Sequence, residues 1–275
     1  MYKRFLVIAS QLDTAGMNIV NQLEQFRENP VKQILQSDEN SFDIYICEKE
    51  IVYTENLDLE KISKYDFIIF ASKHSSAKGE KALAVHSVGN WRNADFGGES
   101  NKVGKTSALF MKQIFEKLNE NVEKFDLRDY LVTMEATHHG PLIDRPCLFI
   151  ELGSSEIDYR DKRAGFVIAK TIADIIKEFK ENPYSEIAVA IGGPHYCPNF
   201  NKLQKDSNVA ISFVIPNYKM PFTEQMILEA VEKTEENVDF ILIDWKGVGK
   251  AEERDALIKL IEKNYLQWRK TGDFK

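Results

Sequence analysis

Short apolar runs that alternate with stretches of helical periodicity constrain this chain more than any other feature. Residues 5–9, 42–47, 67–71, 131–136, 147–152, 187–191 and 240–244 read as strands. Between them apolar positions recur every three or four residues: Ile19, Leu23 and Phe26 after the capping pair Asp13-Thr14, then residues 107–118, 163–179, 226–235 and 252–264. Strands that alternate with helices fold as α/β layers, because each crossover helix returns the chain parallel to its last strand. The pattern predicts a three-layer α/β sandwich around a mostly parallel mixed sheet. No Pro/Ser-rich linker, low-complexity tract or internal repeat divides it, so residues 1–275 read as one domain. The exception is 72–106, rich in Gly, Asn, Lys and Ser with little apolar periodicity. A loop of that length in a compact domain is usually functional or mobile.

Composition excludes several classes. With 275 residues, 43% of them hydrophobic, the chain can bury about three quarters of its unfolded surface and needs no disulfide staples. Its apolar runs fall far short of the ~20 residues that span a bilayer. The stretch after Met1-Tyr2-Lys3-Arg4 reaches polar Ser10 and Gln11 before it could serve as a signal peptide's apolar core. A cytoplasmic protein with no membrane contact is expected. Cys47, Cys147 and Cys197 form no CxxC pair and read as reduced thiols. The formal charge of −7, from 36 Lys+Arg against 43 Asp+Glu, argues against a broad basic face for nucleic acid. It leaves room for a local one, since Lys73, Lys78, Lys81, Arg92, Lys102 and Lys105 all fall in the 72–106 segment.

Histidine is the most informative residue type. All five, His74, His86, His138, His139 and His195, lie just after an expected strand or in the loop that follows one. Ligands of open α/β sheets bind beyond the carboxyl ends of the strands, so five imidazoles delivered there can converge. Any one of them alone is as readily a surface or hydrogen-bonded core histidine. Ser72-Lys73-His74-Ser75-Ser76 offers hydroxyls, a base and a cation, where an ordinary turn would also place serines. His86 is followed by Asn90 and Trp91, an amide and an indole that can pair with and stack on a base, or plug a core. Glu135-Ala136-Thr137-His138-His139-Gly140-Pro141 and Glu151-Leu152-Gly153-Ser154-Ser155-Glu156 add three carboxylates and two imidazoles, the ligand chemistry of zinc. No HExxH is present. If a strand runs on through His138 and His139, only one of the two can face a site. Gly192-Gly193-Pro194-His195-Tyr196 delivers the fifth imidazole. Two glycine-rich stretches fail as P-loops: five residues rather than four separate Gly98 from Gly104-Lys105-Thr106, and Gly247-Val248-Gly249-Lys250 lacks the first glycine.

In this order, with Asp13-Thr14-Ala15-Gly16 and Asn18-Ile19 after the first strand and Asp244-Trp245-Lys246-Gly247 near the end, these motifs resemble the archaeal type of D-aminoacyl-tRNA deacylase, a family also found in plants. The resemblance implies a hydrolase that cleaves the ester joining a D-amino acid to the 3′ end of tRNA and spares the L-aminoacyl form, a chiral proofreading step in translation quality control. It also implies a zinc cofactor and a fold similar to the phosphorylase/hydrolase-like group. Chemistry then distributes candidate roles. His74, Ser75, Glu135, His138, His139 and Glu156 are catalytic candidates. Asp13, Thr14, Asn18, Lys73, Ser76, Asn90, Trp91, Ser154 and Tyr196 are candidate substrate contacts, and His86, His139, Glu151 and His195 candidate metal ligands. Two mechanisms are open. In one, zinc held by imidazoles and Glu151 lowers the pKa of its water from 15.7 toward about 7. In the other, His138 or His139 is a general base and backbone N–H groups near Gly153 or Gly193 form the oxyanion hole. Glu135 or Glu156 is a candidate to hold the substrate's free α-amino group. The expected partner is the acceptor end of D-aminoacyl-tRNA, met by a monomer through the basic segment. The rivals are a small-molecule metallo-amidase or nucleoside phosphorylase-like enzyme, which would not depend on tRNA, and an RNA-binding module, which would bind without turnover.

Overall fold

The computed structural model describes residues 2–27, 41–55, 57, 62–76, 78–182 and 185–274. In chain order its strands are β1 (Arg4–Ser10), β2 (Ser41–Cys47), β3 (Phe67–Lys73), β4 (Ala82–His86), β5 (Gly89–Asn90), β6 (Lys102–Val103), β7 (Leu131–Met134), β8 (Cys147–Gly153), β9 (Glu186–Ile191), β10 (Val209–Ile215), β11 (Phe240–Ile243) and β12 (Trp268–Lys270). The helices are α1 (Thr14–Leu23), α2 (Ala108–Lys124), α3 (Glu156–Tyr159), α4 (Lys162–Glu178), α5 (Pro198–Asp206), α6 (Glu224–Lys233) and α7 (Ala251–Lys263). The α/β class and the mostly parallel, mixed pairing agree with the sequence pattern. The strands, expected to share one sheet, divide between two larger ones: β2-β1-β3-β8-β4-β7, and β10-β9-β11-β12. β5 and β6 form a separate two-stranded ribbon. All pairs in the four-stranded sheet are parallel, and in the six-stranded sheet only β4 and β8 run antiparallel.

Two corrections bear on the site. The 72–106 segment, expected as a loop, contains β4, a fully buried strand inside the first sheet. Residues 196–225, left without elements in the sequence pattern, hold α5 and the fully buried β10. The helix starts behave as the capping residues predict: the Asp13 carboxylate accepts from Ala15 N and Gly16 N, and Ser107, Asp161 and Thr223 accept at the starts of α2, α4 and α6.

Period-two alternation sorts the six-stranded sheet into an apolar face and a working face. Phe67, Ile69, Ala71, Leu83, Val85, Leu148, Ile150 and Leu152 join the large core under α1, α2 and α4. The residues between them point the other way, and Leu6, Ile8, Ile68, Phe70, Cys147 and Phe149 build a smaller cluster there. Continued toward the strand ends, that second face carries Ser72 and Glu151, which are register partners across β3 and β8, with small Ala84 on the other side of Glu151. α2 contacts β4 and β7 of the first sheet and β9 and β10 of the second. Residues 135–139 thread between the sheets: Glu135 N donates to Val85 O, Ala136 N to His195 O and Thr137 N to Val214 O.

Candidate active site

A cleft of about 450 Å³ opens on the working face, lined by residues that include Ser72, Lys73, His74, Ser75, Glu135, His138, His139, Glu151 and His195. The five imidazoles arrive from four pieces of backbone. His74 follows β3, and His86 closes β4, where the antiparallel direction sets it opposite Phe149. His195 lies in the turn after β9. His138 and His139 sit beyond the end of β7, with His138 bridged to Val88 and His139 at φ 46°. That left-handed residue breaks the strand alternation, so both rings face the cleft, 4.3 Å apart at their centroids. The expectation that only one could do so assumed a strand that has already ended.

Two buried carboxylates tie the imidazoles together. Glu151 Oε1 lies 3.6 Å from His86 Nε2 and 3.8 Å from His139 Nε2, and Glu151 Oε2 lies 3.6 Å from His74 Nδ1. Glu135 Oε1 lies 3.1 Å from His195 Nε2 and 3.3 Å from His74 Nδ1. The outer nitrogens are fixed from behind. Nδ1 of His86, His138 and His139 meets the carbonyls of Ser87, Ala136 and Gly140 at 3.1, 2.8 and 2.7 Å, and Nδ1 of His195 meets the Tyr218 hydroxyl at 3.0 Å. Carbonyls only accept, so Nδ1 of the first three carries a proton and, in the neutral ring, Nε2 offers a lone pair.

Those lone pairs have few partners. His86 Nε2 and both Glu135 oxygens are buried without a well-formed hydrogen bond. Converging buried acceptors are costly unless a proton or a cation lies among them. Among the described residues three ligand groups have donor atoms within 4.8 Å of one another: His86, His138 and His139; Glu135, His138 and His195; and His74, Glu135 and Glu151. Imidazole nitrogen with carboxylate oxygen is a donor set zinc accepts, and a carbonyl behind each ring is how ligating histidines are oriented. The residues present therefore fit a zinc ion. They do not form the expected single set of His86, His139, Glu151 and His195. His195 faces Glu135 and His138, and His138 joins the two sides.

Charge follows geometry. Burial and the neighbouring rings of His86 and His139 push His138 well below the usual imidazole range. Burial acts in the same direction on His74, but the adjacent carboxylates of Glu135 and Glu151 overcome it and raise His74 to about 10. His86 is raised against burial by Glu151. Both carboxylates are held below their usual range by the imidazoles, again against burial. In the metal-free protein the stability His74 brings is complete below its unfolded value of 6.5 and is lost as the pH rises through about 10. The thermal midpoint of chelated protein is expected to fall over that window, and Glu135→Gln to make the fall shallower. Equal slopes for the two proteins would contradict the pairing.

The remaining expectations divide sharply. Lys73 and Ser75 line the cleft, and the Tyr196 hydroxyl reaches His74 Nε2 at 3.3 Å. Asp13 also lines it, but its carboxylate is engaged by Ala15 N, Gly16 N and Lys73 N, so it is a cap that fixes Lys73 rather than a substrate contact. Thr14, the first residue of α1, and Ser76, whose Oγ accepts from Lys78 N, lie outside the lining. Asn18 donates to the carbonyls of Tyr159 and Asp161, a brace between α1 and the start of α4. Trp91 is buried in the second sheet's core and donates to Val214 O, and Asn90 donates to Gly97 O, so neither meets a base. Ser154 donates to Glu80 O, and Glu156 is exposed beside Arg160 on α3, which removes it as a catalytic or amino-group contact. Neither Gly153 nor Gly193 lines the cleft, so an oxyanion hole at those amides has no support. The basic segment is largely neutralised: Lys81 pairs with Asp129 and Asp158, Lys102 with Glu229 and Lys105 with Asp144, while Arg92 donates to the carbonyls of Lys219 and Pro221. Tyr218, Phe96 and Leu12 were missed. A lone tyrosine, phenylalanine or leucine in a loop carries no spacing signal.

A layered α/β fold that gathers five imidazoles and two buried carboxylates at the strand ends holds a donor set that hydrolytic metal centres use. The model of the family described as D-aminoacyl-tRNA deacylase matches residues 61–269. The D-aminoacyl-tRNA deacylase of Thermococcus onnurineus is 34% identical over 278 residues, covering 96% of this chain and 98% of its own. That of Methanocaldococcus jannaschii is 30% identical over 275 residues, covering 97% and 99%. The crystal structure of a conserved protein of unknown function superposes with a TM-score of 0.85 at 29% identity, covering 98% of this chain and 96% of that one. The chain belongs to the D-aminoacyl-tRNA deacylase family, whose named members are ester hydrolases.

Proposed function

We propose that this cleft hydrolyses the ester of D-aminoacyl-tRNA, with zinc as cofactor. The observation that carries the reading is the convergence of His74, His86, His138, His139 and His195 on Glu135 and Glu151. His86, His138 and His139 would hold zinc beside Glu151, and Glu135 and His195 would complete the set on the far side of His138. When bound, zinc supplies Lewis acidity toward the ester carbonyl and toward water. His74, buried between Glu135, Glu151 and the Tyr196 hydroxyl, fixes the two carboxylates in place. Tyr196 at His74 Nε2 and Tyr218 at His195 Nδ1 hold those rings in place. The reading includes a monomer in the cytoplasm, where translation makes and uses aminoacyl-tRNA. Among the described residues no helix is long and apolar enough to cross a membrane.

The test is release of D-tyrosine from D-tyrosyl-tRNA before and after a strong zinc chelator. Activity should fall by at least about 100-fold on chelation and return with zinc, because metal polarisation contributes several kcal/mol to such a step. Hydrolysis that survives complete removal of metal would leave the substrate assignment standing and overturn the cofactor.

A further inference from the structure

The rim of the cleft carries two large apolar side chains that face solvent, Phe96 at 65% exposure and Leu12 at 61%. Phe96 is displayed by a fixed backbone. Its carbonyl accepts from Gly140 N at 2.8 Å, the Gly97 carbonyl accepts from Asn90 Nδ2 at 2.8 Å, and Gly98 N donates to Glu55 Oε1 at 2.5 Å. Gly97 has φ 69°, and a Cβ there would stand 1.8 Å from the Val52 carbonyl oxygen, so only glycine lets the loop lie this close. The bond from Gly140 couples the loop to the residue after His139. An aromatic ring held in water at a constant offset from the imidazoles presents a flat face to whatever enters.

We infer that Phe96 stacks on the base of the terminal adenosine of tRNA. The inference rests on the reading of this cleft as the deacylation site, and topology selects the occupant. A tRNA is far too large to enter, so its chain leaves through the mouth while the ester reaches the imidazoles inside. The aminoacyl group then takes the inner part, and the terminal nucleoside takes the rim, where Phe96 and Leu12 stand. Unstacked terminal bases are commonly held on aromatic side chains, and the contact tolerates any base because every base has a π-face. Lys73, exposed on the same cleft, is the cation placed to meet the phosphate that follows.

The experiment measures kcat and KM of Phe96→Ala and Phe96→Trp with D-tyrosyl-tRNA and D-alanyl-tRNA. Because the side chain is mostly in water, its removal leaves the fold intact. Phe96→Ala is expected to raise KM roughly ten-fold for both substrates with kcat changed by less than about two-fold, and Phe96→Trp to restore KM. A Phe96→Ala enzyme with unchanged KM overturns the inference, while wild-type deacylation in the same assay keeps the underlying reading. A loss confined to the D-tyrosyl substrate also overturns it, since that places Phe96 against the amino-acid side chain. A wild-type protein that deacylates neither substrate overturns both.

Discussion

His138→Ala is expected to slow release of D-tyrosine from D-tyrosyl-tRNA by about 10³-fold, the largest loss from any single change in the cleft. His138 is the one imidazole common to two ligand groups, the first with His86 and His139 and the second with Glu135 and His195. Its ring is kept neutral by burial and by two neighbouring rings, the state in which a ligand or base must stay. Losing it opens both sides, and a loss of several kcal/mol of transition-state stabilisation corresponds to that factor. Among the described residues its ring has one hydrogen bond to main chain, from Nδ1 to Ala136 O, and otherwise packs against the rings of His86, His139 and His195. Activity within about ten-fold of wild type, at an unchanged thermal midpoint, would remove His138 from the centre of the account.

Glu151→Gln follows, with an expected loss of about 100-fold in activity and a fall in zinc retained after dialysis. The two side chains have the same shape, so Cys147 and Phe149 on the same face of β8 keep their packing. The charge is what changes. Glu151 lies 3.6 to 3.8 Å from a nitrogen of His74, His86 and His139, and a neutral amide removes the attraction toward all three and toward a cation among them. Losses of 10- to 100-fold are typical when an acidic partner of ligating histidines is removed. Metal content by atomic absorption and D-tyrosine release should fall together. Activity lost with zinc fully retained would make Glu151 a proton carrier instead of a metal partner.

Much of this site can be read from residue identity alone. The histidines and glutamates stand at strand ends in runs such as Glu135 to His139, and their types announce imidazole and carboxylate chemistry before any coordinates. Their grouping could not be read. It depends on the antiparallel direction of β4, which brings His86 level with Phe149, and on the left-handed backbone of His139. β4 itself is five residues long with polar flanks, and so short a buried run carries no periodicity that separates a strand from a loop. The seven buried residues of β10 had a stronger signal, as did Pro198 at the start of α5. Trp91 and Asn18 show the opposite failure. An indole or an amide in a striking motif suggests a ligand contact, and only tertiary structure reveals a core plug and a helix brace.

The most direct test of the account is the rate at which the purified, zinc-loaded chain releases amino acid from D-tyrosyl-tRNA and from L-tyrosyl-tRNA. The account predicts rapid release of D-tyrosine and release of L-tyrosine close to the spontaneous rate. Equal release from both would contradict chiral selection by this cleft, and release from neither would contradict deacylation itself.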